Sequence, residues 1–153
     1  MKSFVPKLMS KEDKIKKEVE QRNKSFNGLT ASEWASLSKN VWNDVSSTRG
    51  RKHLEHGATF PEKLANRLIR MYTKEGDLIL DPFLGTGTTL EACRNTNRNG
   101  VGIELNQRFI HHALEVTKQT TLQMNIFLKV IRDDCRNLLN HIKEESVQLM
   151  VTS

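Results

Sequence analysis

A short apolar run followed at once by a glycine-rich turn constrains this chain more than any other feature. Leu78-Ile79-Leu80 is typical of a strand buried on both faces. The next residues read Asp81-Pro-Phe-Leu-Gly-Thr-Gly-Thr-Thr89. Gly85 and Gly87 permit a sharp turn and let a ligand approach the backbone. Because ligands bind at the carboxyl ends of strands in α/β sheets, this pattern predicts a strand–turn–helix unit that forms a ligand site.

Helical and strand patterns alternate from residue 59 to the end of the printed sequence. Strands alternating with short helices favour βαβ units and a parallel sheet with right-handed crossovers. The predicted strands cover 78–80, 100–105, 127–131 and 147–151, and the predicted helices cover 61–73, 88–96, 106–119 and 136–143. The side chains expected to face the core are Phe109, Ile110, Ala113, Leu114 and Thr117 in the third of these helices, and Leu138, Leu139 and Ile142 in the fourth.

Residues 1–58 are more polar and are predicted to form a helical extension, separate from a ligand-binding domain at 59–153. Ser10 before Lys11-Glu-Asp13 indicates the start of a solvated helix. Thr30-Ala-Ser-Glu33 is a capping box that opens a second, short helix. Trp34 and Trp42 are expected to hold this polar segment against the domain, with stacking on a base or cofactor as the alternative.

An acid at the end of the second strand supports a nucleoside ligand. Glu104 ends Val-Gly-Ile-Glu, 17 residues after Gly87, close to the offset of about 20 residues at which an acid meets ribose hydroxyls in dinucleotide folds. The turn is not a Walker loop, because no Gly-Lys-Ser/Thr follows. A dinucleotide oxidoreductase is disfavoured because the third glycine of its fingerprint is absent and Asp-Pro-Phe precedes the turn.

The segment Asp81-Pro-Phe-Leu-Gly-Thr-Gly-Thr-Thr89 resembles the F-x-G-x-G motif of the amino-type DNA methyltransferases, which modify N6 of adenine or N4 of cytosine. The resemblance covers about residues 53–153. It implies a Rossmann-like α/β methyltransferase fold with a partial parallel sheet in the order 3-2-1-4, and S-adenosylmethionine as the cofactor. The loop residues that it assigns to cofactor binding are Asp81, Pro82, Phe83, Gly85, Thr86, Gly87 and Thr88.

The same resemblance assigns residues outside the loop. His56-Gly-Ala-Thr-Phe60-Pro61-Glu-Lys-Leu64 is similar to the family motif that packs against the methionine moiety, so Phe60 and Pro61 are implied cofactor contacts. The family carries an acid near the end of strand three that meets the adenine amino group. Asp134 matches it best, with Asp133 as the other register, and the backbone of Cys135 would contact the adenine ring.

The last printed residues, Val151-Thr152-Ser153, resemble the start of the catalytic loop of this family. The cytosine-N4 branch continues from this strand into S-P-P-Y, whereas the adenine branch more often has D-P-P-Y. Ser153 would therefore be the catalytic residue that begins the loop, and cytosine N4 is the expected target. The alternatives are an N6-adenine DNA methyltransferase, an RNA amino-methyltransferase, and a non-catalytic module that binds a cofactor or a partner.

Because Pro-Pro-Tyr is not in the printed sequence, we expect the activity to need a second polypeptide, or the chain to be a truncated fragment. Double-stranded DNA is the expected substrate and a restriction–modification system the expected setting. The net charge of +6 is compatible with a polyanionic partner.

Composition and spacing exclude several other classes. No apolar run reaches 18 residues and the N-terminus has no signal-peptide pattern, so no membrane span and a cytoplasmic location are expected. No metal site is expected, because Cys93 and Cys135 are far apart in sequence and adjacent His111 and His112 point about 100° apart on a helix.

Overall fold

A computed structural model describes residues 10–45, 60–118 and 125–152 of the chain. Within them, four parallel strands form one sheet in the order β3-β2-β1-β4, as the sequence predicted. The strands are β1 (Leu78–Asp81), β2 (Asn99–Glu104), β3 (Leu128–Arg132) and β4 (Leu149–Met150). The helices are α1 (Lys11–Lys24), α2 (Ala31–Leu37), α3 (Glu62–Tyr72), α4 (Thr88–Asn95) and α5 (Gln107–Lys118), followed by a 3-10 helix at Cys135–Asn140.

Strand β1 is buried on both faces, which explains its continuous apolar sequence. Ile79 belongs to a core cluster with Ala65 and Ile69 of α3 and with residues of α4. Leu80 belongs to a second cluster with residues of β2 and β3, including Ile103. Because neighbouring side chains on a strand point to opposite faces, burying both of them requires cover on each side of the sheet.

Helix α5 differs from its prediction in which side chains face the core. Ile110, Ala113 and Val116 are buried, whereas Leu114 is 40% exposed. The small residue Ala113 lies at the centre of the contact because α5 approaches the backbone of Gly87 closely. This contact sets the rotation of the helix and turns Leu114 towards solvent.

The predicted helix at 136–143 is wrong in type and in length. Only a 3-10 helix at Cys135–Asn140 forms, and Leu139, which was expected inside, is 73% exposed. Leu138 and Ile142 do pack partly on the Leu80 cluster. The Asp133 carboxylate accepts hydrogen bonds from both Asn137 and His141 across this short segment.

Strand β4 is also shorter than the predicted 147–151. Its pairing with β1 covers only Leu149 and Met150, although the N–H groups of Gln148 and Val151 donate to the carbonyl oxygens of Leu78 and Leu80 at 3.0 and 2.9 Å. The side of β4 away from β1 has no neighbouring strand among the described residues.

One buried arginine side chain lies near the amino-terminal ends of the strands. Arg98 is 5% exposed, and its guanidinium donates to the carbonyl oxygens of Thr73 and Thr96 and to the Thr73 hydroxyl. Thr73 and Thr96 are the C-caps of α3 and α4. Arg98 therefore satisfies carbonyl groups at two helix ends, where a positive charge is favourable.

The extension has the predicted helices and is tied to the body by polar contacts. Helix α1 buries no residue, and the Ser10 side chain accepts a hydrogen bond from the Asp13 N–H, as expected of a solvated, capped helix. Asn27 Nδ2 donates to the Met71 carbonyl at 2.6 Å. The Arg67 guanidinium lies 4.9 Å from the Trp42 ring, whereas Trp34 remains 42% exposed and anchors less than predicted. The boundary at 58/59 lies outside the described residues and stays a prediction.

The capping box of α2 gives a testable contribution to stability. The Thr30 hydroxyl accepts from the Glu33 N–H, and the Glu33 carboxylate accepts from the Thr30 N–H. Thr30→Ala should therefore destabilise α2 by about 1 kcal/mol, measured by urea unfolding followed by circular dichroism. Thr30→Ser keeps the hydroxyl and should behave like the wild type; equal losses in both variants would show that the cap contributes nothing.

No helix in the described ranges combines the length and the apolar character that a membrane span needs.

Candidate cofactor site

The carboxyl ends of the four parallel strands bring most of the predicted site residues to one edge of the sheet. Asp81 ends β1 and Glu104 ends β2, where it pairs in register with Arg132 of β3. Asp134 follows β3 by two residues, and Thr152 follows β4 by two residues. The sheet order therefore places candidate residues from all four strands along a single edge.

The glycine turn after β1 has the backbone conformation that its sequence predicts. Gly85 and Gly87 have φ values of +56° and +97°, in the left-handed region that favours glycine. Leu84 N donates to the Ile103 carbonyl at 2.9 Å, which fixes the turn on β2. Gly102 makes room for this turn, because a Cβ there would lie 2.5 Å from the Leu84 side chain.

Glu104 is joined directly to the glycine turn. Its Oε2 accepts a hydrogen bond from Gly85 N at 2.8 Å, and its Oε1 accepts one from Asn106 N at 2.8 Å. The carboxylate is half-buried, and each of its oxygens can accept a further hydrogen bond. The glycine turn and Glu104, which the sequence analysis linked by their spacing, are thus in contact. The Glu104 carboxylate can still accept hydrogen bonds from ligand hydroxyls.

Asp81 lies beneath the turn and is only 2% exposed. Its Oδ1 accepts from Phe83 N at 3.1 Å, and its Oδ2 accepts from the Thr89 hydroxyl at 2.5 Å. Burial raises the pKa of this carboxyl, while hydrogen bonds from Thr89, Phe83 and Thr152 act in the opposite direction. The sequence indicated Asp81 but not its partners Thr89 and Thr152, which only the packing of α4 and β4 brings to it.

The other loop residues differ in how far they are available to a ligand. Phe83 is 57% exposed, whereas Pro82, Thr86 and Thr88 are buried. Thr88 begins α4, so its N–H is one of the first-turn groups that have no acceptor within the helix. Exposed aromatic surface therefore lies on the same turn as the first helical N–H group.

Phe60 and Pro61 lie at the start of α3, and both are half-buried. Pro61 is the N-cap of the helix, and Phe60 packs partly on the cluster around Ile69 and Ile79. Only part of the Phe60 ring is therefore available to a ligand. Their assignment to the methionine moiety stays a prediction.

The acids after β3 are already engaged with neighbouring side chains. Asp134 accepts from the Arg136 backbone N–H at 2.9 Å and from its guanidinium at 2.7 and 3.0 Å. These bonds lower the pKa of Asp134 to about 2, and hydrogen bonds from His141 and Asn137 lower that of Asp133. Both groups are carboxylates at neutral pH. The sequence analysis did not predict the ion pair between Asp134 and Arg136, which forms because the chain turns after β3.

Two further predictions concern the ends of the site. Cys135 is half-buried and begins the 3-10 helix, and its backbone contact with adenine stays a prediction. Ser153 lies outside the described residues, so its catalytic role also stays a prediction. In the described part of the chain, no group of three or more histidine, cysteine or acidic side chains is arranged to hold a metal ion.

The residues at this edge fit a positively charged nucleoside. Glu104 offers acceptors suited to ribose hydroxyls, and Phe83 offers an exposed aromatic surface. The buried Asp81 places an acidic side chain beneath the turn. The sheet order, the glycine turn after β1 and the acid at the end of β2 together define a Rossmann-like methyltransferase fold.

Comparison with known proteins places the chain within that class. The model of the N6/N4 DNA methylase family matches residues 3–115, and the chain belongs to this family. The family uses S-adenosylmethionine as its cofactor, in agreement with the resemblance found in the sequence.

Individual relatives match only part of this chain. The type II methyltransferase M.MthZI of Methanothermobacter thermautotrophicus is 38% identical over 105 residues, which are 61% of this chain and 30% of that protein. M.BglI of Bacillus subtilis is 42% identical over 85 residues, 55% of this chain and 24% of that protein. The chain thus spans between 24% and 30% of the length of these two relatives.

Solved structures give the same fold. A proposed DNA modification methylase from Thermus thermophilus, solved in complex with S-adenosyl-L-methionine, superposes with a TM-score of 0.53 and 32% identity. The match covers 74% of this chain and 41% of that one.

Proposed function

We propose that this chain is the S-adenosylmethionine-binding portion of a site-specific DNA methyltransferase that modifies N4 of cytosine. The observation that carries the proposal is the hydrogen bond between Gly85 N and the Glu104 carboxylate. It unites the two sequence features that together recognise a nucleoside, and family membership supports the methyl-transfer chemistry.

Each part of the site has a defined task in this proposal. The bound cofactor supplies an electrophilic methyl group on a sulfonium centre. Glu104 accepts hydrogen bonds from the ribose hydroxyls while it holds the turn through Gly85 N. Phe83 contributes apolar surface, Asp134 accepts from the adenine amino group beside Arg136, and Phe60 with Pro61 borders the amino-acid end.

The choice of cytosine N4 follows from Ser153. An exocyclic amine is a weak nucleophile because its lone pair is delocalised into the ring. A hydrogen-bond acceptor at the end of β4 would hold that lone pair in line with the methyl group and stabilise the developing positive charge. Serine at this position is typical of the N4 branch, whereas aspartate is more frequent in the adenine branch.

Further residues are needed to complete the enzyme in this proposal. β4 pairs only with β1 among the described residues, and Met150 is 52% exposed. An uncovered strand edge exposes unpaired backbone groups. We propose that additional strands and the region that recognises the DNA sequence cover this edge, supplied by a second polypeptide or by more of the same one.

The test measures cofactor binding first and methyl transfer second. Calorimetry with S-adenosylhomocysteine and with NAD should show binding of the former only, and tight binding of NAD alone would overturn the cofactor assignment. Co-expression with candidate completing segments should then incorporate methyl groups into double-stranded DNA.

Nucleoside analysis of the methylated DNA identifies the target atom. N4-methylcytosine is the expected product, whereas N6-methyladenine would contradict the assignment of Ser153. Cofactor binding without methyl transfer, even with a completing segment bound, would favour the non-catalytic module.

A further inference from the structure

The Asp81 side chain is a buried acid without a cationic partner in the described residues. It is 2% exposed, and no lysine or arginine of residues 10–45, 60–118 or 125–152 lies within ion-pair distance of it. Its partners are an N–H group and hydroxyl groups. Buried ionisable groups are normally paired with an opposite charge because transfer from water is costly.

The hydrogen bonds of Asp81 do not require a charge. An asparagine oxygen could accept from Phe83 N, which lies 3.1 Å from Oδ1. The asparagine amide could donate to the Thr89 hydroxyl, which can accept as well as donate. A neutral side chain of the same shape would therefore serve the local structure equally well.

The charge of Asp81 has a cost in the folded protein. Burial and the negative charge of Glu104 both raise its pKa, so folding disfavours the ionised form. A group with a raised folded pKa stabilises the protein below its unfolded pKa, and this stabilisation is lost as the pH rises through the folded value. A carboxylate at this position can act on a ligand through its charge.

Two acidic side chains lie on either side of the glycine turn. Asp81 contacts the turn from β1 through Phe83 N, and Glu104 contacts it from β2 through Gly85 N. When both side chains are ionised, a ligand held against this turn would lie next to negative charge from two strand ends. In a partly buried site one charge acts across several ångströms with little screening.

We propose that Asp81 is a specificity-determining residue whose carboxylate favours the sulfonium cofactor over its neutral thioether product. This inference rests on the proposed function, because it assumes that the ligand of the turn is S-adenosylmethionine. The sulfonium carries a positive charge that the thioether of S-adenosylhomocysteine lacks. Asp81 thus strengthens binding of the reactant without strengthening binding of the product.

Calorimetry with both ligands on the wild type and on Asp81→Asn tests the proposal. Affinity for S-adenosylmethionine should fall about five- to tenfold in the variant, the size expected of one charge acting through protein. Affinity for S-adenosylhomocysteine should change less than about twofold. The free energy of unfolding at neutral pH should stay equal or increase, because the buried charge is removed.

Two matched variants separate charge from structure. Asp77→Asn removes the same charge at the amino-terminal end of β1, where Asp77 accepts from Lys74 N, and should leave both affinities unchanged. Thr89→Val removes a hydrogen bond that lowers the pKa of Asp81, so it should disfavour the carboxylate and change the affinity ratio in the same direction as Asp81→Asn, by a smaller factor.

The outcomes distinguish this inference from the proposed function. Equal losses for both ligands in Asp81→Asn, or no loss for either, would overturn the role of the charge while leaving the cofactor assignment intact. Failure of the wild type to bind either ligand would overturn the proposed function itself. Should Asp81→Asn not fold, the wild type still gives a test: it should bind an analogue with a protonated amine in place of the sulfonium more tightly than the thioether, and the reverse order would contradict the inference.

Discussion

Replacing Glu104 with alanine should reduce the affinity for S-adenosylmethionine by about 100-fold, the largest effect on binding that we expect of any single substitution. The carboxylate is expected to accept hydrogen bonds from ribose hydroxyls, and hydrogen bonds to a charged group contribute about 1.5–3 kcal/mol each. The same change leaves Gly85 N and Asn106 N without their acceptor. Isothermal titration calorimetry of the cofactor measures the loss.

Two companion variants of Glu104→Ala define what the carboxylate contributes. Glu104→Gln keeps one carbonyl acceptor and should give an intermediate loss of affinity. Glu144→Ala removes an exposed carboxylate before β4 and should bind the cofactor like the wild type. Unchanged cofactor affinity in Glu104→Ala would refute the role of Glu104 in ribose recognition.

Gly87→Ala should have the largest effect on folding, with a loss of about 2–4 kcal/mol in the free energy of unfolding. Gly87 has φ +97°, which L-residues with a side chain rarely adopt. An added Cβ would also lie 3.0 Å from the Cα of Ala113 and 3.2 Å from its Cβ. Backbone atoms of α5 cannot give way as a flexible side chain could, so the helix must shift. Urea denaturation monitored by circular dichroism gives the value.

Gly76→Ala is the matched control for the crowding at Gly87. Gly76 has a similar φ of +83°, but a Cβ there would meet nothing within 4 Å. Its substitution should cost only the backbone strain, about 1 kcal/mol. If both variants lose the same free energy, contact with α5 does not contribute at Gly87.

The parts of the fold that the sequence predicted are those whose signal is local. Leu78-Ile79-Leu80 and the glycine turn could be predicted without knowing any distant contact. A continuous apolar run indicates a strand buried on both faces, and closely spaced glycines indicate a turn with positive φ. Glu104 could be identified because strand ends in a parallel sheet share an edge. The sheet order itself came from the resemblance to a family.

Features determined by how the turns fold and how the helices pack were predicted poorly. Leu139 was placed inside because helical spacing alone cannot show that this segment forms a short 3-10 helix. Leu114 was misplaced because the rotation of α5 depends on its contact with Gly87. The engagement of Asp134 by Arg136 and of Asp81 by Thr89 likewise depends on how the turns fold. Apolar periodicity indicates that a helix has a buried face, but which residues lie on that face depends on how the helix packs.

The carboxyl ends of the strands carry the glycine turn, and the amino ends carry the buried guanidinium of Arg98. It fastens the ends of α3 and α4 at the edge opposite the glycine turn, where none of the proposed ligand contacts lies. The contacts of Arg98 are therefore separate from the residues proposed to bind the cofactor. Substitutions near Arg98 could therefore be used to raise the melting temperature without altering the proposed cofactor contacts.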